Sequence, residues 1–302
     1  MKKVFLIILL FFIANESFGQ ANLLNAKNPS EIGDSSESKA VTEFVDYEYV
    51  DDKDILWSKV VYEFIDLNER LNFPLLFPVN DTKYDDTRKS LWRVIRESIE
   101  NGKISEVYDS NNDNFTEASR IIGKDSTDLE ANIYKNYNIS DIYKSKYVPE
   151  SFVPREVASS ADIFGYVIKG IWYFDKIHAE LRYRLLAIQP YGTDLKTSVD
   201  GEETETGYFW IWYPSIREIL DDHLVFNDKN NNNRVSFDEL LINRRFSSYI
   251  YKYDNVYGDR EIRDYIRQRD NESYAQWQTR IVMESERIKK EILDFEIDMW
   301  GY

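Results

Sequence analysis

A polar segment in the last third of the chain has the residue spacing of a calcium-binding loop. Oxygen-bearing side chains occupy positions 1, 3, 5, 9 and 12 of a stretch of 12 residues: Asp228, Asn230, Asn232, Ser236 and Glu239. Calcium prefers hard oxygen ligands on one turning loop, with a bidentate Glu at the last position. Asn233 stands where such loops usually carry Gly, although Asn tolerates a left-handed backbone. Two interpretations stay open: a weak calcium site, or a turn in which Ser236 and Glu239 cap the next helix.

Hydrolytic chemistry would need a general base or a pair of carboxylates. The chain has 2 histidines, and a Ser-His-Asp triad would have to use His178 or His223. The pattern places His178 on the polar face of a strand and His223 near a helix end, which are positions typical of surface histidines. A glycosidase-like carboxylate pair stays open, because 54 acidic residues supply candidates throughout the chain. No phosphate-binding loop, nucleophile elbow or H-E-x-x-H pattern occurs. We predict no catalytic residue, no cofactor and no resident metal.

The charge balance and the cysteine count exclude several classes of protein. With 38 basic and 54 acidic residues, the net charge of −16 repels phosphate backbones, so we expect no nucleic-acid partner. The chain has 0 Cys, which excludes disulfides, thiolate metal sites, a Cys nucleophile and a lipid anchor on Cys. The 22 Tyr, 17 Phe and 7 Trp residues can fill a core and still leave aromatic side chains for an interface.

The N-terminus has the pattern of a secretory signal peptide. Lys2 and Lys3 precede the apolar run 4–14, and the small residues Ser17 and Gly19 stand just before Gln20. The run is too short for a membrane helix, which needs about 20 apolar residues. We therefore predict a signal peptide over residues 1–19 and a mature chain that is periplasmic and has no membrane span of its own.

The mature chain is predicted to have two regions. Residues 20–52 are rich in Asn, Ser and acidic residues and lack apolar periodicity, so we predict a flexible acidic and polar arm. Residues 53–302 are predicted to form an α+β domain, of a size at which division into two lobes stays open.

Apolar alternation and β-branched residues predict an antiparallel sheet. Strands are expected over residues 59–67, 161–174, 177–188 and 208–213, with the middle two joined at Asp175-Lys176 as a hairpin. Residues 109–150 are polar and are predicted to be irregular. Pro74 and Pro78 predict an extended stretch between them.

Several helices are predicted to pack on this sheet. One follows N-cap candidates at 85–87 and carries an apolar face over residues 91–99, and a short one runs from Pro214 to Leu220. The last thirty residues predict a long C-terminal helix. Its apolar stripe consists of Tyr274, Trp277, Ile281, Ile288, Ile292, Phe295 and Met299. Such a stripe packs on a core or pairs with a partner helix.

Four separated segments resemble the GldN/PorN family of gliding motility and type IX secretion. They are Asp54–Lys59 (DILWSK), Trp172–Lys176 (WYFDK), Arg244–Tyr257 (RRFSSYIYKYDNVY) and Phe295–Trp300 (FEIDMW). The resemblance runs from about residue 54 to the end, with the segments in the expected order. It implies a domain of this family over residues 53–302.

The resemblance implies a non-enzymatic, periplasmic structural component. Members of the family form large rings with an outer-membrane lipoprotein, GldK/PorK, and contact the periplasmic part of the motor protein GldM/PorM. Association with the outer membrane would then come through the lipoprotein. The resemblance implies no catalytic residues and no calcium ligands in the loop at 228–239. The residues alone leave two alternatives open: an exported glycan hydrolase with a carboxylate pair, and a weak calcium-binding module.

Overall fold

The structure, a computed structural model, describes six segments of the chain. They are residues 44–80, 88–122, 158–193, 205–225, 235–257 and 259–300. The predicted signal peptide, most of the predicted arm and the loop positions 228–234 lie outside the described residues. Within these six segments, no helix has the length and apolar character needed to cross a membrane.

The described residues form an eight-stranded antiparallel sheet. The strands are β1 (Ile55–Asp66), β2 (Glu106–Asp109), β3 (Arg120–Ile122), β4 (Ile163–Asp175), β5 (Glu180–Thr193), β6 (Glu205–Gly207), β7 (Phe209–Trp212) and β8 (Tyr249–Tyr253). Their order across the sheet is β3-β2-β7-β5-β4-β1-β8, and β6 pairs with the end of β5. The two longest pairings, β1 with β4 and β4 with β5, form the centre of the sheet.

Helices accompany this sheet, and the last helix is by far the longest. They are α1 (Phe73–Leu76), α2 (Leu91–Glu100), α3 (Arg217–Asp221), α4 (Phe237–Ile242), α5 (Ile262–Tyr265) and α6 (Tyr274–Trp300). The predicted fold class is confirmed: an α+β protein with an antiparallel sheet, several helices and a long C-terminal helix.

The predicted hairpin is confirmed, but its second strand starts three residues later than expected. β4 and β5 pair from Ile163 opposite Gly192 to Asp175 opposite Glu180. The Asp175 carboxylate accepts the backbone N–H groups of Ile177 (2.8 Å) and His178 (3.2 Å), which holds these residues in a turn. The prediction that His178 lies on a strand is therefore wrong.

Two stretches that were predicted to lack regular structure contain it. Pro74 lies in the first turn of α1, where no intrahelical N–H is needed, and Phe77 N–H closes that turn on Phe73 O at 3.0 Å. The extended prediction was thus wrong for Leu75 and Leu76. The irregular prediction for residues 109–150 was wrong at its start, because β3 pairs with β2 there. Residues 123–150 lie outside the described residues.

The predicted N-cap of α2 was also wrong. Ser90 caps this helix, since its Oγ accepts the N–H of Arg93 at 3.1 Å. The expected candidates at 85–87 lie outside the described residues. The predicted apolar face is confirmed, because Leu91, Trp92 and Ile95 are buried. The short helix expected from Pro214 is instead split into a 3-10 turn at Tyr213–Ser215 and α3.

The helix α6 packs over the β1–β8 side of the sheet. Ile281, Ile288 and Ile292 pack against Val61 and Ile250. Three polar contacts support this packing: Ser285 Oγ accepts Ile250 N–H (2.8 Å), Lys289 Nζ donates to Ser248 O (2.8 Å), and Lys59 pairs with Glu291 (2.5 Å). Most of the predicted apolar stripe thus faces the core, although Tyr274 at its start is 65 % exposed.

Candidate functional site: two buried arginine–carboxylate pairs

Segments from opposite ends of the chain meet where α6 lies on the sheet. In the β1–β4 ladder, Trp57 stands opposite Phe174. Phe295 of α6 stacks on the Trp57 ring with centroids 4.7 Å apart and meets the Phe174 ring edge-on at 6.0 Å. Three of the four segments that carry the family resemblance therefore share one aromatic cluster.

The fourth segment reaches the same region through an ion pair with a buried carboxylate. Glu63 on β1 is 1 % exposed, and the Arg244 side chain is 24 % exposed. Its Oε2 accepts hydrogen bonds from Arg244 Nη2 (2.7 Å) and Ser248 Oγ (2.5 Å). The Arg244 residue has a φ of 51°, a left-handed conformation just after α4 that turns the chain back toward the sheet.

Aromatic rings enclose the Arg244 guanidinium. Its central carbon lies 5.3 Å from the Trp172 ring centre, 4.3 Å from Tyr183 and 5.3 Å from Phe246. Burial disfavours the charge, but the neighbouring Glu63 carboxylate outweighs this effect and raises the pKa of Arg244. Burial raises the pKa of Tyr183 as well, and Glu63 adds to the rise. The arginine is therefore held as a cation in an apolar, aromatic environment.

This pair is only partly satisfied. Glu63 Oε1, Tyr183 Oη and Arg244 Nη1 are buried and have no hydrogen-bond partner among the described residues. Removing charges from water costs several kcal/mol per ion, which one good contact offsets only in part. Such a pair fixes the local arrangement more than it stabilises the fold. Removing one of the two charges alone is nevertheless expected to cause a large loss of stability.

A second buried pair joins α3 to α4. Arg217 Nη2 lies 3.0 Å from Asp238 Oδ2, and Arg217 Nε donates to Asp238 Oδ1 at 3.2 Å. Their side chains are 6 % and 7 % exposed. Tyr213 Oη donates to the same Oδ1 at 2.8 Å. Burial, followed by the charge of Asp238, raises the pKa of Tyr213, so the phenol stays protonated and keeps this hydrogen bond.

Residues 44–48, at the C-terminal end of the predicted arm, dock on this second pair. Arg217 Nη2 donates to Val45 O at 2.9 Å, and its guanidinium lies 4.1 Å from the Tyr47 ring centre and 5.0 Å from that of Phe44. Tyr47 Oη donates to Leu185 O at 3.2 Å. Burial raises the pKa of Tyr47 to about 12, so this donor keeps its proton. Arg217 thus links the arm, α3 and α4.

The His178 ring completes the hairpin turn. Its Nδ1 lies 2.8 Å from Asp175 Oδ2, and Arg182 Nη1 lies 3.4 Å from the same oxygen. The hydrogen bond from His178 is the main reason why the pKa of Asp175 is lowered. Two backbone N–H groups also bind this carboxylate. The His–Asp contact is therefore part of a turn, with the carboxylate already engaged by structural donors.

The second histidine lies at a helix end, as predicted. His223 follows α3, and its Nδ1 lies 2.8 Å from Ile219 O, which makes Nδ1 the donor. Burial lowers the pKa of His223, and the nearby Lys89 and Lys103 add to this effect.

Protonation of His223 is expected to destabilise the protein below about pH 6.5. Because the folded pKa lies under the unfolded value of about 6.5, the unfolded state binds the proton more readily as the pH falls. Stability is fully present above that pH and is lost on acidification. Urea unfolding between pH 8 and pH 5.5 should show the loss, and His223→Gln should flatten the profile. An unchanged slope in His223→Gln would contradict the assignment.

The calcium-like loop is described only at its end. Ser236 caps α4, since its Oγ accepts Glu239 N–H at 3.1 Å, which agrees with the interpretation as a helix cap. The Glu239 carboxylate lies 3.3 Å from Arg245 Nη2. Asp228, Asn230 and Asn232 lie outside the described residues. In the part of the chain that the structure describes, no group of 3 or more His, Asp and Glu side chains is placed to hold a metal ion.

Calcium is expected to leave the thermal stability unchanged. An ion that binds only the folded protein raises Tm. A calcium concentration about 100 times Kd would add roughly 2.7 kcal/mol to the free energy of unfolding. Melting curves in EDTA and in millimolar calcium should therefore coincide, with magnesium as the control for ionic strength. A rise of several degrees in calcium alone, abolished in Asp228→Asn, would show that the loop is a calcium site.

Sequence reasoning missed the residues of both buried pairs, and only Glu63 left a local signal. Glu63 lies between Val61 and Ile65, in the inward phase of a strand, where a carboxylate needs a buried partner. Asp238 follows the cap Ser236 in the first turn of α4, a position that usually faces solvent. The alternation could have indicated that Glu63 is buried, but neither pattern indicates the partner.

These observations define the class of protein: an α+β protein in which two arginine–carboxylate pairs join elements that are separated in the sequence by 21 and 181 residues. Residues 50–301 match the family described as gliding motility associated protein GldN. The chain therefore belongs to the GldN family, and the resemblance of its four segments is confirmed. This membership associates the protein with gliding motility. A search of curated proteins found no match.

Proposed function

We propose that the protein is a non-enzymatic structural component of the gliding motility and type IX secretion machinery. In this proposal it lies in the periplasm, forms a ring with an outer-membrane lipoprotein of the GldK/PorK type and contacts the periplasmic region of a GldM/PorM-type motor protein. The observation that carries the proposal is the GldN match over residues 50–301. The periplasmic localisation, the ring and the two partners are proposed because the family resemblance implies them.

The pairing of buried charges inside the domain supports the role of a structural scaffold. Arg244, Glu63, Arg217 and Asp238 are engaged in ion pairs inside the domain. A catalytic pair of carboxylates would instead share a site that substrate and water can enter. The Asp175 carboxylate beside His178 is likewise held by backbone donors.

The attachment of α6 supports the same role. The helix is held along its length by its isoleucines, by Ser285 and by the Phe295–Trp57 stack. A helix fixed at several points to a sheet moves with it as one body, because packed interiors transmit strain. This rigidity suits a component that carries force between a ring and a motor.

The test is an affinity purification of the tagged protein from gently extracted cell envelopes, followed by sizing. We expect an outer-membrane lipoprotein to co-purify in a megadalton-scale particle, with the motor protein retained after mild crosslinking. A periplasmic protein of similar acidity, carrying the same tag, serves as the control. Recovery of a monomer without partners would contradict the proposal, and release of sugar from envelope glycans by the pure protein would favour an exported hydrolase.

A further inference from the structure

A second stripe of residues runs along the side of α6 that faces away from the sheet. Its members recur at alternating steps of four and three residues: Thr279, Met283, Glu286, Lys290, Leu293 and Ile297. At 100° per residue they lie opposite Ile281, Ile288 and Ile292. Met283 is 65 % exposed, Leu293 53 % and Ile297 65 %. This spacing is the heptad of a coiled coil, with Met283, Lys290 and Ile297 at one core position.

We propose that this stripe pairs with the same stripe of a second copy of the chain, as a two-stranded antiparallel coiled coil. In an antiparallel pair the two core positions of the heptad face each other across the seam. One register places Met283 opposite Leu293 of the second copy and Thr279 opposite Ile297. The same register places Glu286 opposite Lys290 of the second copy, and the two-fold axis repeats every contact.

The two central charges select this arrangement over the others. A parallel pair in register would place Glu286 beside its own copy and Lys290 beside its own copy, and like charges in contact repel. An antiparallel pair shifted by one heptad would separate these charges and place Glu286 against an apolar side chain, either Ile297 or Met283. A charged core pair lowers stability but fixes register and orientation. The charge pattern of the stripe thus complements itself in one geometry.

The surroundings of the stripe allow this contact. Glu286 must give up its ion pair with Lys289 (3.0 Å), which is partly exposed and therefore weak, and Lys289 keeps its hydrogen bond to Ser248 O. Arg287 lies close to the two-fold axis, and Glu284 and Glu291 already balance its charge at 2.8 Å and 3.0 Å. The inner face of the helix stays on the sheet, so pairing requires no refolding. The contact needs no lipoprotein, so it can hold or fail independently of the proposed ring.

Sedimentation equilibrium of the mature chain, residues 20–302, tests the pairing. We expect a monomer–dimer equilibrium that Lys290→Glu weakens by more than about tenfold, because two attractive pairs become two repulsive ones. Glu286→Lys should weaken it similarly, and the double swap Glu286→Lys/Lys290→Glu should restore it. Lys103→Glu, an exposed charge change after α2, is the matched control. A wild-type monomer at the highest soluble concentration, or a double swap as weak as the single variants, would overturn the proposal.

Introduced cysteines test the orientation, since the natural chain has 0 Cys. A mixture of Met283→Cys and Leu293→Cys chains should form a mixed disulfide under mild oxidation. Each variant alone should not, because its two copies would lie about 15 Å apart along the helix axis, and a disulfide needs Cα atoms within about 7 Å. Rapid disulfide formation by Met283→Cys alone would indicate a parallel pair and would overturn the antiparallel one.

Discussion

Replacing Arg244 with Met is expected to lower the free energy of unfolding by about 3–5 kcal/mol, the usual cost of removing one partner of a buried ion pair. The substitution leaves Glu63, at 1 % exposure, with Ser248 as its remaining hydrogen-bond donor in the described structure. Methionine retains most of the aliphatic volume, so the loss reports on charge rather than on a cavity. Urea unfolding of the mature protein, followed by tryptophan fluorescence, measures it.

The adjacent residue provides the matched control. Arg245 is 55 % exposed and pairs with the half-exposed Glu239, so Arg245→Met should cost less than about 1 kcal/mol. The double variant Glu63→Leu/Arg244→Met should recover much of the stability lost in Arg244→Met, because no unpaired charge remains buried. Equal losses in Arg244→Met and Arg245→Met would show that the buried pair has no special role.

Replacing Arg217 with Met is the second change with a large expected effect. It leaves the buried Asp238 carboxylate with Tyr213 as its side-chain donor, and we expect a loss of about 3–5 kcal/mol. It also removes the hydrogen bond to Val45 O and the guanidinium that packs on Tyr47. Residues 44–48 then keep their contacts with Arg182, Arg184 and Leu185 but lose those with residue 217, so chymotrypsin should cleave at Phe44 and Tyr47 faster than in the wild type.

Tyr47→Ala distinguishes the effect of losing the Arg217–Asp238 pair from the effect of releasing residues 44–48. It removes the docked ring and its hydrogen bond to Leu185 O but keeps the Arg217–Asp238 pair. We expect a smaller loss of about 1–2 kcal/mol, together with faster cleavage at Phe44. If Arg217→Met left the cleavage rate at the wild-type value, the arm would be held by contacts other than this arginine.

Local patterns in the sequence predicted the elements that depend on near neighbours. The β4–β5 hairpin and α6 followed from alternation and from an apolar stripe, because their hydrogen bonds join residues close in the chain. The short strands β2, β3, β6 and β8 were missed. Each has at most five residues, and pairing with a neighbouring strand of the sheet, rather than local propensity, makes it a strand. Pro74 was misread because proline suits a helix start as well as an extended chain.

The partners in the two buried pairs could not be predicted from the sequence. Glu63 and Arg244 are 181 residues apart, and Arg217 and Asp238 are 21 apart. No local periodicity relates partners at such separations, and an acidic chain offers many partners for every arginine. The segments of the family resemblance nevertheless include Arg244 and two of the three aromatic residues around it, Trp172 and Phe246, but not Tyr183.

The position of β1 in the sheet has a kinetic consequence. Its two neighbours are β4, about a hundred residues later, and β8, which starts at Tyr249. The ribosome therefore makes β1 well before both of its neighbours. Contacts between residues so far apart in the sequence slow folding. The β4–β5 hairpin can form first as a local template, and β1 can then add to one edge. The outer edge of β1 closes only when β8 and α6 arrive, so its unpaired backbone is most prone to mispair with another chain until the last sixty residues have been made.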